Sequence, residues 1–146
     1  MSMSSAKTFE DVKVGVRLKI AALWIAMLFL FAYGDIFGFF APGRLGEIMT
    51  GKVSGIEITQ LFLFAISVYA AVASLMIFST LVLRPNICRW ANIVVPVLYI
   101  VSIVASAIGE TDAYYLFLSV VEIALLVLAI RFAWTWPTQE AGGAQS

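Results

Sequence analysis

Residues 20–40 read IAALWIAMLFLFAYGDIFGFF, twenty-one positions in which Asp35 is the single charge. At about 1.5 Å per residue such a helix is about 30 Å long, the thickness of the bilayer's hydrocarbon. Working outward, Pro42-Gly43 ends the run as a turn, and three more apolar runs follow at 56–83, 90–109 and 113–136. Arg84-Pro85-Asn86 separates the second from the third, and Pro137 stops the fourth. The ten-residue alternating segments of a membrane barrel do not occur. The chain is therefore expected to be all-α, an integral membrane four-helix transmembrane bundle over residues 20–137. Residues 1–19 form a cytosolic tail and interfacial lead-in, and 138–146 a second, disordered cytosolic tail.

Composition agrees. The chain has 146 residues, 62% of them hydrophobic and 12% charged, where soluble domains sit near half and a quarter. Nine basic residues balance nine acidic ones, so no bulk charge calls for nucleic acid. One cysteine excludes an internal disulfide, and the absence of histidine excludes imidazole catalysis and His-ligated haem or zinc. No phosphate loop, metal-spaced cluster or nucleophile-with-base arrangement occurs, so neither a cofactor nor a metal is expected. The basic start followed by an apolar run resembles a signal peptide, but the run continues through Phe40 as a full span.

Basic residues set the orientation. Lys7, Lys13, Arg17, Lys19, Arg84, Arg89 and Arg131 lie on one side, against Arg44 and Lys52 on the other. Seven against two predicts both termini in the cytosol. Small residues at helical spacing, Ser67, Ala70, Ala71 and Ser74 in the second span and Ser102, Ala105, Ser106 and Gly109 in the third, predict a seam between those spans. Pro96 sits inside the third span and is expected to kink it. Glu57 is expected to cap the second span, and Cys88 to lie at the membrane surface.

Four charges fall inside the spans: Asp35, Glu57, Glu122 and Arg131. Asp35 lies about 7 Å and Glu122 about 13 Å from the outer ends of their helices. No basic residue shares that height, and an ionisable group at such depth normally faces the bundle interior or a wet cavity. Thr59, Gln60, Ser106, Tyr115 and Ser119 stand at heights compatible with one polar cluster around the two carboxyls. Such a cluster serves either as a site for a proton, cation or small polar solute, or as a structural pin between helices. A weaker candidate, Arg89 with Asn92, is placed to meet a lipid headgroup.

Leu23-Trp24, Tyr33-Gly34-Asp35, Pro42-Gly43, Thr59-Gln60, Arg89-Trp90-Ala91-Asn92-Ile93, Tyr114-Tyr115, Val121-Glu122-Ile123-Ala124 and Ala133-Trp134-Thr135-Trp136-Pro137 occur in this order. Together they resemble a family of small four-span bacterial membrane proteins of unknown function. The resemblance implies a bacterial inner-membrane protein and brings no activity with it. The family pattern often has a proline in the middle of the second span, where this chain has Ala73.

Two functions remain open at this level. One is a transport-like protein with an outward-facing carboxylate cluster, assembled from two or more copies. The other is a non-catalytic accessory subunit packed against a larger membrane complex. An enzyme handling lipid or quinone is a third and weaker reading, because without histidine it would rely on carboxyl or tyrosine chemistry.

Overall fold

The computed structural model describes residues 12–137. The tails expected at 1–11 and 138–146 lie outside the described residues. Four long helices dominate: α1 (Val16–Phe40), α3 (Gln60–Val82), α4 (Pro85–Ala107) and α5 (Ala113–Trp134). Each is long and apolar enough to cross a membrane. A short helix, α2 (Arg44–Met49), and a two-stranded hairpin, β1 (Lys52–Val53) with β2 (Ile56–Glu57), fill the connection between α1 and α3.

Several boundaries differ from the hydropathy reading, each for a local reason. α1 begins at Val16, so Arg17 and Lys19 ride on its first turns, while residues 12–15 are irregular and Gly15, at the cap, is extended. Hydropathy alone ran residues 56–59 into the second span. Ser54 and Gly55 both have positive φ, the pattern of a two-residue hairpin turn, and they fold the chain back so that Val53 faces Ile56. Glu57 consequently lies in β2 and caps nothing; the N-cap of α3 is Thr59, whose hydroxyl accepts from the amide of Phe62. Pro85 separates the two spans by starting α4, because a first-turn position needs no amide donor. α4 then runs without interruption past Pro96.

Consecutive long helices alternate in direction, so the start of α1 and the end of α5 share one side of the bundle, here the terminal side. The α1–α3 connection and the α4–α5 turn occupy the opposite, hairpin side. α1 packs extensively on α3 and on α5, and α5 on α4, whereas α3 and α4 touch at only a few positions. The seam expected between the small-residue stripes is therefore not formed. Ser67, Ala70, Ala71 and Ser74 are exposed, and both serines donate back to carbonyls four residues earlier. α3 and α4 instead meet through tyrosines in mid-bundle and through a polar knot near their connection.

That knot closes the terminal half. Trp24 Nε1 donates to Asn92 Oδ1 (2.8 Å), and the Asn92 amide donates to Thr80 Oγ1 (3.0 Å) and to the Cys88 carbonyl (2.9 Å). Trp24, Thr80, Cys88 and Asn92 are all buried, so Cys88 is a core residue rather than a surface thiol. Arg17 donates to the carbonyls of Leu81 and Leu83, which α3 leaves without helical partners at its end. Arg17 also lies over Trp136, Lys19 over Phe132 and Arg89 over Trp134, which makes a cationic and aromatic belt on this side.

Candidate functional site

The inner faces of the helices change character halfway along. On α5 the buried positions are apolar at Leu126, Ala129 and Ala133, then polar at Glu122 and Ser119. On α1 they run Ile20, Trp24 and Met27, followed by Phe31, which packs on the core. Phe31 stacks on Tyr69 and Tyr99 (centroids 5.7 and 6.2 Å), and those two tyrosines are themselves 4.3 Å apart. This aromatic layer is the floor above which the polar half begins.

Asp35 follows Phe31 by four residues, so it stands one turn above the floor on the same inward stripe of α1. Gly34 and Gly38 fix that rotation: a Cβ on Gly34 would meet Leu118 at 3.4 Å, and one on Gly38 the Tyr114 hydroxyl at 3.7 Å, both on α5. Asp35 is nevertheless exposed. Glu122 is only 7% exposed, and among the described residues no hydrogen bond reaches its carboxyl. Its oxygens are still not sealed from open space, since the only buried, unpartnered side-chain polar atom among the described residues is Arg89 Nε. Asp35 and Tyr69 both lie within Coulombic range of Glu122.

α4 completes the polar wall. The Tyr69 hydroxyl bonds Ser102 Oγ (2.7 Å), which in turn donates to the Tyr99 carbonyl (2.8 Å). One turn higher, the Tyr115 hydroxyl donates to Ser106 Oγ (2.8 Å). Above the Tyr69–Ser102 contact the first half of α3 is mostly exposed, including Ala65 and Ile66, one turn above Tyr69. With few contacts between them above this level, α3 and α4 leave a wedge on the Tyr69 side of the bundle.

Of the residues expected to cluster, the structure brings together Asp35, Glu122 and Ser119 on the two facing inner stripes, with Ser106 and Tyr115 bonded in the layer above. Thr59 and Gln60 stand apart. Gln60 starts α3 nine residues before Tyr69, about 14 Å higher at the helical rise, and Thr59 is occupied as the cap. Both belong to the rim. Arg89 donates to the Trp134 carbonyl at 3.4 Å, and Asn92 is committed inside the knot, so Asn92 offers nothing to a headgroup. Sequence reasoning missed Tyr69 and Ser102. Their signal was present but weak: an isolated tyrosine in a long apolar run, and a serine that was assigned to a packing stripe.

The rim is tied on one side. Arg44 bridges to Asp112 (3.3 Å) and Glu110 (3.9 Å), and it also donates to Ser54. Glu47 accepts from the Gly55 amide (2.7 Å), holding the hairpin against α2. This strap joins the end of α1 to the start of α5 and leaves the α3–α4 side free. Among the described residues no group of three or more carboxylate, histidine or cysteine side chains could hold a metal ion.

A family of unknown function, DUF6326, matches residues 7–142. The chain belongs to that family. Comparison with curated proteins and with solved structures returned no match. The match spans all four long helices of this DUF6326 chain, so both the closed terminal half and the open hairpin half lie within the family's domain.

Proposed function

We propose that this protein is a transport-like membrane protein that takes up a proton, a cation or a small polar solute from the hairpin side, at Glu122 and Asp35. One observation carries the reading: Glu122 is nine-tenths buried in a membrane-spanning helix with neither a hydrogen bond nor a counter-ion from the described residues. A carboxyl in that setting is unfavourable by several kcal/mol unless something from outside completes it. A purely structural pin would instead be bonded, as Asn92 is. The basic side chains of the terminal side support a cytosolic orientation for that side and, with it, an outward-facing wedge; the membrane we propose is the bacterial inner membrane. Four helices enclose little space, and the exposed face of α3 leaves room for a second copy or a partner subunit in the same membrane.

The test is flux into vesicles holding the reconstituted full chain, driven by a pH gradient. Wild-type protein should dissipate the gradient, and Glu122→Gln or Asp35→Asn should abolish the effect. Equal flux in wild type and both variants would sink the reading.

A further inference from the structure

We infer that the natural occupant of the wedge is an organic cation with apolar substituents, a quaternary ammonium or similar, rather than a metal ion. This deepens the proposed function and rests on the same site. Three features of the wedge decide the chemical class.

The first is charge. Two carboxyls stand on neighbouring helices, α1 and α5, and the ion pairs of the described residues include neither of them. Arg44 is held by Asp112 and Glu110, while Arg17, Lys19 and Arg89 cover aromatic rings on the far side. When the carboxyls are ionised, the compensating positive charge comes from outside the bundle, and a cationic ligand supplies it in place of a proton. The second is coordination. Calcium requires six or more oxygens and magnesium a near-ideal octahedron, whereas the wedge offers two carboxyls and the Ser119 hydroxyl, the hydroxyls of Tyr69, Ser102, Tyr115 and Ser106 being paired with one another. The third is the surroundings. The floor is a layer of three rings, Phe31, Tyr69 and Tyr99, a setting that attracts a diffuse cation and repels a strongly hydrated one. The unpacked seam between α3 and α4 also leaves the wedge open toward the lipid, where apolar substituents lose nothing by remaining.

Equilibrium binding of tetraphenylphosphonium to the full chain in lipid nanodiscs tests this. Saturable binding should fall at least tenfold in Glu122→Gln, with Glu122→Asp retaining part of it. Tyr69→Leu, which leaves both carboxyls in place, should weaken binding severalfold. Neutral triphenylphosphine oxide, sodium and calcium should not compete. Should Glu122→Gln fail to fold, Glu122→Asp and Tyr69→Leu carry the test. Absence of saturable binding, indifference to these variants, or equal competition by the neutral analogue would overturn the inference. If the pH-gradient flux is present and Glu122-dependent while tetraphenylphosphonium does not bind, only the organic-cation class falls. If both signals are absent, the site reading falls with it.

Discussion

The two halves of this bundle treat buried polar groups in opposite ways. In the terminal half, Trp24, Thr80 and Asn92 satisfy one another completely, and the helices close around them. In the hairpin half, Glu122 is also buried, though its oxygens are not sealed, and it is offered no partner among the described residues, while α3 and α4 make few contacts. Membranes give both patterns a meaning. Without a hydrophobic force between helices, a satisfied polar group acts as glue, and an unsatisfied carboxyl is tolerated where it does something else. Under the proposed function, the contrast gives stability to one half and ligand chemistry to the other.

The largest effect should follow from attacking the knot. Asn92→Ala leaves the Trp24 indole N–H and the Thr80 hydroxyl without their partner in a dry site, a loss of about 1–3 kcal/mol. Unfolding in a mixed-detergent titration reads this directly, and a change below about 0.5 kcal/mol would mean that the knot is not the glue. Next comes Glu122→Leu, where the comparison predicts the reverse. Removing an unpartnered carboxyl should leave stability at or above wild type while uptake disappears. A destabilisation matching Asn92→Ala would turn Glu122 into a second pin and erase the distinction between the halves.

How much of this was legible in the sequence follows from where the information sits. Four helices are written in run length, because only apolar residues survive in hydrocarbon, and Asp35 and Glu122 stand out against that background. The α3–α4 wedge is not written there. Serines and alanines at helical spacing suit a packing seam or a lipid face equally well, and Ser67 and Ser74 satisfy their own hydroxyls within the helix. Rim and site were confused for a related reason. Depth counted from a hydropathy boundary placed Thr59 and Gln60 level with Glu122, but the hairpin turn at Ser54-Gly55 starts α3 later, and Tyr69 is the residue that reaches that level. Asn92 read as surface because it follows Arg89 and Trp90; Pro85 at the start of α4 moves it into the second turn, facing Trp24.

The strap tests a subtler part of the contrast, because it joins the otherwise open half on the α1–α5 side. Arg44 is partly exposed, so its pairs with Asp112 and Glu110 contribute at most about 1 kcal/mol. Arg44→Ala should therefore leave global unfolding almost unchanged. It should raise amide exchange across the β1–β2 hairpin, which hydrogen-exchange mass spectrometry resolves. Exchange that also rises through α4 and α5 would show the strap to be part of the main fold.

The smallest effect is a titration confined to the α4–α5 turn. The backbone amides of Asp112 and Thr111 donate to the Glu110 carboxylate and, with Arg44 nearby, hold its pKa below the ordinary 4.5. A carboxyl with a lowered folded pKa stabilises the turn at any pH above its unfolded value, and that contribution is lost as pH falls through the lowered one. The amide proton shifts of Thr111 and Asp112 should accordingly titrate together with a midpoint below 4.5, and Glu110→Gln should flatten both curves. Because the Glu110 carboxyl is bonded only within its own turn and to the strap, the knot residues around Asn92 should show no response over the same range. A matching shift in the Trp24 indole would couple the two halves and break the division between them.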